Sequence, residues 1–381
     1  MAHRPELMTK TSLAAAMALA NLRDRFLRAR KTPMKLHSPL IAATLLVGTA
    51  PVFACATCGC SLSSDAATGY ANEAGWRASL QFDYIDQKQL RSGTGTVSPS
   101  TVAAINDAGG DQEVERDTVN RYVTFGLSYS PNADWGLRLL VPYVDRDHST
   151  YGSSTNPLTP DDLSSAKIDG LGDVRVIGTW QGLLEGRNLG LQLGLKLPTG
   201  RYGGPNADDN GIVGRHPTPF RSGPLSQQAS PDNLVDTSLQ PGTGTTDVIV
   251  GAFYHHAVSD DFDAFANVQF QAAVAQRLHQ DGADFRPGNT TFVSFGARYE
   301  ADPTLIPQVQ VNIAHKGADT GALADNPDSA GTVIYLSPGA TWSPMPRTQV
   351  FAFAQLPVHY NLLGYQLAPR WTASAGVSVG F

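Results

Sequence analysis

Charge, cysteine and long apolar runs are all scarce in this sequence of 381 residues. Only 16% of the residues are charged and the formal net charge is -6, which excludes the basic surface expected of a nucleic-acid-binding protein. The mean hydropathy of -0.18 is too low for a bundle of membrane helices. It is compatible with a transmembrane β-barrel, because half of the spanning side chains in such a barrel face water.

Sequence motifs of common enzymes are also scarce. The chain contains no His-Glu-x-x-His zinc motif and no phosphate-binding loop, and the pair Gly242 and Gly244 lacks the third glycine of a dinucleotide-binding loop. A Ser/His pair assembled across strands would leave no such signature. The motifs favour a protein that is not an enzyme.

The end of the chain carries the clearest structural signal. From Trp371 to Phe381 every second residue is apolar, and the residues between them are glycine, serine or threonine. This period of two indicates a strand with one apolar and one polar face. Its length of about 11 residues is what a tilted strand needs to cross a hydrocarbon core. The segment therefore predicts a transmembrane strand.

The same alternation recurs from Trp76 onward. In residues 189–197 five leucines occupy every second position, which excludes a helix. We predict an all-β fold, namely a closed antiparallel up-and-down transmembrane β-barrel of about 12 strands in the bacterial outer membrane, with short periplasmic turns and long extracellular loops. A secreted β-sandwich is the rival, but it would not need apolar, aromatic-rich outer faces on every strand.

Three long polar segments interrupt the predicted strands, and one of them covers about residues 146–169. Residues 85–117 are rich in glycine and polar residues, so we expect an exposed and mobile loop there. Residues 199–242 form the longest loop. This loop either folds inward as a constriction or covers the mouth of the barrel.

The first 75 residues differ from the rest in composition. Residues 34–54 resemble a signal peptide, with a basic start, an apolar run at 39–48 and Val52-Phe53-Ala54 before Cys55. Residues 1–33 precede this unit and are either a long n-region or sequence upstream of the true start. Residues 55–75 form a cysteine-containing segment, and residues 76–381 form the predicted barrel.

Several short strings resemble one family of outer-membrane barrels. The chain is similar to the barrel family of the meta-cleavage pathway of phenol degradation, whose members are described as transporters. The resemblance covers about Trp76 to Phe381 and implies passage of small, often apolar or aromatic compounds. The terminal Phe381 also resembles the residue that the barrel-assembly machinery reads. The strings that carry the resemblance are Gly170-Leu171-Gly172-Asp173, Leu197-Pro198-Thr199-Gly200, the run from Gln240 to Asp247, Ser337-Pro338-Gly339 and Gln355-Leu356-Pro357-Val358.

All three cysteines of the chain lie in one short motif, Cys55, Cys58 and Cys60. Cys55 could be acylated as a lipoprotein cysteine, and Cys58 could pair with Cys55 or Cys60 in the oxidising periplasm. Three thiolates could also hold a soft metal such as copper or zinc, although no fourth zinc ligand lies nearby in the sequence. The segment could equally be a lead-in without a function.

Charged residues at inward positions of the alternation form the second candidate site. They are expected either to form a charged constriction that tunes selectivity or to fill a narrow lumen as salt-bridged pairs. These predicted pore-lining residues are Arg138, Asp173, Arg175, Lys196, Asp247, Asp263, Arg298 and Glu300.

The sequence therefore predicts an outer-membrane channel for passive diffusion of a small solute. Its expected partners are outer-membrane lipid, the assembly machinery and the solute, with no nucleic acid. The alternative is a metal-handling or electron-transfer-associated barrel, in which the thiols of Cys55, Cys58 and Cys60 meet a periplasmic metal or redox partner.

Overall fold

A computed structural model describes residues 73–206, 211–326 and 328–381. Among these residues, no helix is long and apolar enough to cross a membrane. The elements in chain order are β1 (Gly75–Gly93), β2 (Gly95–Thr96), α1 (Pro99–Asp107), β3 (Glu115–Ser130), β4 (Trp135–Thr150), β5 (Ser164–Leu171), β6 (Val174–Trp180), β7 (Leu189–Leu197), β8 (Tyr202–Asn206), β9 (Gly211–Arg215), β10 (Thr245–Ala257), β11 (Phe262–Gln276), β12 (Thr290–Tyr299), β13 (Leu305–Lys316), β14 (Gly331–Met345) and β15 (Thr348–Gly380).

The strands close into one antiparallel barrel, because β15 pairs with β14 on one side and with β1 on the other. A closed ring of antiparallel strands needs an even number of passes. β5 and β6 together form one interrupted pass beside β4. β15 contributes two passes, since it turns back at Gly364 (φ 62°) and the amide of Gly380 then donates to the carbonyl of Arg347 at 2.8 Å. The predicted closed barrel of about 12 strands is confirmed.

The two faces of the strands differ as the alternation predicts. On β7 the outward Leu193 is 66% exposed, whereas the inward Gln192 and Lys196 are buried. Aromatic pairs mark the ends of the apolar band, for example Trp76 and Tyr129 with ring centroids 4.7 Å apart. Such girdles lie at the membrane interfaces of outer-membrane barrels.

Both ends of the barrel chain lie at the same edge. Trp76 and Phe381 exchange two backbone hydrogen bonds, of 3.1 and 2.8 Å. The short turns after β3, β6, β10, β12 and β14 lie at this edge, which is the periplasmic one in this fold. The long connections lie at the opposite, extracellular edge.

The prediction of a mobile loop at residues 85–117 is wrong for most of that segment. β1 continues to Gly93, β3 starts at Glu115, and α1 lies between them. Ser98 caps this helix by accepting from the amide of Thr101, and Pro99 starts it. Its Val102 is fully buried against Leu90 and Leu367. The polar composition misled the prediction because the strands extend beyond the lipid, where neither face has to be apolar.

The longest loop, between β7 and β10, contains the hairpin of β8 and β9 and packs against the inside of the barrel. Its Val235 and Leu239 are buried against Ala166 and Ile168 on the inward face of β5. The inward-facing Arg146 of β4 donates to the carbonyl of Leu239. Of the two arrangements that the sequence left open, this packing corresponds to the inward fold.

Candidate channel lumen

The interior wall of the barrel is polar. All eight predicted pore-lining residues lie among the described residues, and three of them form one buried cluster on β7, on β10 and at the residue that precedes β6. The ammonium of Lys196 lies 3.3 Å from a carboxylate oxygen of Asp173 and 3.0 Å from one of Asp247. The exposed fractions of these three residues are 4%, 7% and 2%. Such burial of two carboxylates is tolerated because a cation lies between them.

Hydroxyl and amide groups complete this cluster. Asp247 accepts from Thr245 at 2.6 Å and from the Gln271 side chain at 2.6 Å, and Lys196 also donates to Thr245 at 3.1 Å. With these bonds the lone pairs and protons of the charged groups are used, which offsets the desolvation cost. The cluster fits the interpretation of salt-bridged residues that occupy part of the lumen.

Asp173 also forms hydrogen bonds with both ends of the longest loop. Its carboxylate accepts from the amide of Gly200 at 3.1 Å and from the amide of Thr243 at 3.0 Å. Gly200 and Thr243 lie where the chain leaves β7 and where it approaches β10. The lumenal ion cluster therefore couples the barrel wall to the loop that packs inside the extracellular mouth.

Three other predicted residues gather near the periplasmic edge. Asp263 and Arg298 are direct cross-strand partners on β11 and β12, and Arg298 lies 3.2 Å from the carboxylate of Glu300. Asp263, Glu300 and the inward-facing His255 border a cavity of about 230 Å³. The structure therefore separates the predicted charges into an extracellular group and a periplasmic group.

The remaining two predicted residues are Arg138 and Arg175. Arg138 on β4 donates to the Ser128 hydroxyl at 3.2 Å. Arg175 on β6 lies opposite Lys196 in the strand register. Arg138 lies opposite the buried Ile177, and Arg175 lies two residues before Ile177 on the same strand, so both side chains are on the inward face.

Four inward-facing phenylalanines form a feature that the sequence analysis missed. Phe253, Phe265, Phe351 and Phe353 are at most 4% exposed. Each ring lies against a glycine of a neighbouring strand, and a Cβ on that glycine would approach the ring to within 2.1–2.9 Å. Each ring therefore packs over the glycine that faces it and is covered by other groups of the interior. The four pairs are Phe253 with Gly190, Phe265 with Gly296, Phe351 with Gly376, and Phe353 with Gly339.

Uncharged polar residues on β12 to β15 were also missed. Gln310, Asn312 and Gln355 are at most 1% exposed and point inward. The signal was present in the sequence, since Gln308, Gln310 and Asn312 alternate with outward apolar residues on β13. The predicted pore-lining set was limited to charged residues and therefore did not include them.

The extracellular loops are joined by one buried carboxylate. Asp328 accepts from the amide of Tyr365, at the tip of the β15 hairpin, at 3.1 Å, and it also accepts from the side chain of Gln112. Burial raises the pKa of Asp328 above its ordinary value, although these two hydrogen bonds favour the ionised form. Three separate loops meet at this residue.

The cysteine motif lies outside the described residues, so its metal, disulfide and lipid interpretations stay predictions. Within residues 73–206, 211–326 and 328–381, no group of three His, Cys, Asp or Glu side chains is arranged to hold a metal ion. A string that fits Gly-x-Ser-x-Gly occurs at Gly376 to Gly380. Its Ser378 lies inside β15 and pairs with Ser79 of β1, not at the strand-to-helix turn of a hydrolase nucleophile.

Comparison with solved structures identifies the fold. The COG4313 outer membrane channel from Pseudomonas putida F1 aligns with a TM-score of 0.55 and 12% identity, over 82% of this chain and 97% of that one. This fold is a bacterial outer-membrane β-barrel. The translocator domain of the autotransporter NalP from Neisseria meningitidis aligns with a TM-score of 0.48 and 10% identity, over 97% of this chain and 98% of that domain.

Sequence comparison adds no closer relative, since no family model and no curated protein matches. The resemblance to the phenol meta-pathway family therefore stays a prediction. The structural likeness shows an outer-membrane barrel and leaves the solute to be argued from the lumen.

Proposed function

We propose that the chain is an outer-membrane channel for passive diffusion of a small solute. The observation that carries this proposal is the closed barrel with a polar inner wall, in which the inward aromatic rings pack against glycines. The resemblance seen in the sequence favours apolar or aromatic solutes as the cargo. The predicted pore-lining residues would make the two ends of the lumen polar.

Planar-bilayer recording tests this proposal directly. We expect the purified, full-length barrel to give steady single-channel steps in KCl. Four of the eight predicted pore-lining residues are basic and four are acidic, so the preference between cation and anion should be weak. Current steps are absent from a plugged barrel, and their absence at all voltages would contradict the channel function.

The alternative function remains the metal-handling barrel. It rests on the three thiols of Cys55, Cys58 and Cys60, which soft metals such as copper and zinc prefer. In this alternative the barrel would serve as an anchor or conduit, and a periplasmic metal or redox partner would meet the thiols.

The double variant Cys58→Ser/Cys60→Ser separates the two functions. The metal alternative predicts that bound copper or zinc, measured by elemental analysis of the purified protein, falls while the single-channel conductance stays unchanged. Because the barrel itself spans 76–381, we expect the conductance to persist in either case. An unchanged metal content would remove the metal alternative.

A further inference from the structure

A cavity of about 530 Å³ lies in the longest loop, beside the hairpin of β8 and β9. Because this loop joins β7 to β10, the cavity belongs to the extracellular side of the barrel. It is open to solvent, since Ile212 on its lining is 52% exposed and the neighbouring Arg215 and His216 are exposed as well. Ligand pockets commonly have volumes of about 300–1,000 Å³, so a small molecule can enter and fit.

Every titratable side chain on the lining of this cavity is basic, namely Arg201, Arg215 and His216. The guanidinium of Arg201 donates to the carbonyl of Asp169, and that of Arg215 donates to the carbonyl of Thr199 at 3.4 Å. Both acceptors are uncharged, and within the part of the chain that the structure describes neither guanidinium forms an ion pair with a carboxylate. Since a guanidinium carries five N–H donors, both arginines can still bind an anion.

The rest of the lining is largely apolar, with Ile212, Pro217 and Pro219. An inorganic anion would occupy only a small part of the volume and would leave these side chains against water. A molecule with an anionic oxygen group and an apolar body uses both parts of the lining. Arginine pairs with a carboxylate through parallel hydrogen bonds and also stacks on aromatic rings, so an aromatic carboxylate matches the cavity best.

The cavity is held in place by the inner part of the same loop. The amide of Thr218 donates to Gln240 Oε1 at 2.9 Å, and the carbonyl of Thr218 accepts from the amide of Val235 at 2.9 Å. On another side, the amide of Gly242 donates to the carbonyl of Arg201 at 2.7 Å. A site that is already formed loses less freedom when a ligand binds.

One lining residue also has an unusual backbone. His216 has a φ of 50°, in the left-handed region that residues other than glycine seldom adopt. It turns the chain at the end of β9, just before Pro217 and Pro219. Strained residues of this kind cluster at ligand-binding sites, which agrees with a binding role for the cavity.

We propose that this cavity is a binding site for small aromatic carboxylates, such as benzoate. The carboxylate group pairs with Arg201 and Arg215, and the ring lies against Ile212 and the two prolines. This inference rests on the proposed channel function and names one class within the apolar or aromatic cargo. Binding on the extracellular side concentrates the solute where it enters the barrel.

The test measures binding of para-fluorobenzoate to the purified, full-length protein in detergent by fluorine NMR titration. We expect Arg201→Gln/Arg215→Gln to raise the dissociation constant about tenfold, because a hydrogen bond to a charged group is worth at least that factor. The neutral para-fluorobenzyl alcohol has the same ring without the carboxylate. It should bind more weakly than para-fluorobenzoate to the wild type and equally to wild type and variant.

Arg221→Gln is the matched control, because Arg221 is an exposed arginine of the same loop that does not line the cavity. It should leave the dissociation constant unchanged. Heat-modifiable migration on gels shows whether each variant has closed its barrel. Arg215→Gln alone, with an expected smaller loss of affinity, serves if the double variant does not fold, since its exposed side chain makes only the long bond to Thr199.

Three results would overturn the inference. The control could weaken binding as much as the double variant does, which would indicate a general effect of positive charge. The alcohol could bind as tightly as para-fluorobenzoate. Inorganic phosphate could displace para-fluorobenzoate at a lower concentration than benzoate does, which would indicate a site for phosphate groups, such as those of lipids.

Single-channel recording in KCl separates this inference from the channel function. A wild-type protein that gives current steps but does not bind para-fluorobenzoate would overturn the binding site alone. A wild-type protein that binds para-fluorobenzoate through the two arginines but gives no current steps would support the site and contradict the channel function.

Discussion

Replacing Lys196 with methionine is expected to destabilise the barrel by about 3–5 kcal/mol, the usual consequence of leaving buried charges without their partner. Methionine fills a similar volume but removes the ammonium that lies between Asp173 and Asp247. Both carboxylates would remain in a site that is almost closed to water. Equilibrium urea unfolding of the barrel in lipid vesicles measures the change.

The same substitution should loosen the longest loop. Asp173 holds the amides of Gly200 and Thr243, and a carboxylate that repels Asp247 without an intervening cation will shift away from them. We therefore expect faster proteolysis within the loop between β7 and β10, and a larger single-channel conductance, because this loop packs inside the extracellular mouth.

Lys167→Met provides the control for the lysine substitution. Lys167 also pairs with aspartates, Asp145 and Asp147, but its side chain is 25% exposed on the outer face of β5. An exposed pair of this kind contributes about 0–1 kcal/mol. Equal losses in the two variants would show that the buried position of Lys196 has no special importance.

The barrel could be predicted because its physical constraint is visible in single residues. Lipid demands an apolar side chain at every second position, and residues 189–197 meet this demand with five leucines. The same constraint located the inward residues, including Asp173, Lys196 and Asp247. That these three meet in one cluster depends on which strands become neighbours, which the alternation does not encode.

The parts of the chain beyond the lipid could not be predicted in the same way. Above the apolar band the strands carry polar residues on both faces, so β1 looked like a loop beyond Tyr84. The burial of α1 and of Val235 depends on tertiary contacts inside the mouth. The glycines opposite the lumenal phenylalanines were overlooked for a related reason, since a Phe–Gly pair becomes recognisable only when the register is known.

The second large effect is expected for Gly190→Ala on β7. Gly190 lies directly opposite Phe253 of β10, and a Cβ at this position would come within 2.1 Å of the ring. The ring would have to swing off the wall, and overpacking of this kind costs about 1–3 kcal/mol. Because the wall occupies one side of the ring, its new position projects toward the lumen, so the single-channel conductance should fall together with the stability.

A double-mutant cycle with Phe253→Leu tests this cause. The smaller leucine leaves room for the added methyl group, so Gly190→Ala/Phe253→Leu should recover conductance that Gly190→Ala alone loses. The matched control is Gly178→Ala on β6, where a Cβ would lie 3.6 Å from the nearest atom, an ordinary contact. If the control is as harmful as Gly190→Ala, glycine is needed for strand flexibility and not for the ring. If Phe253→Leu fails to restore conductance, the ring does not move into the pathway.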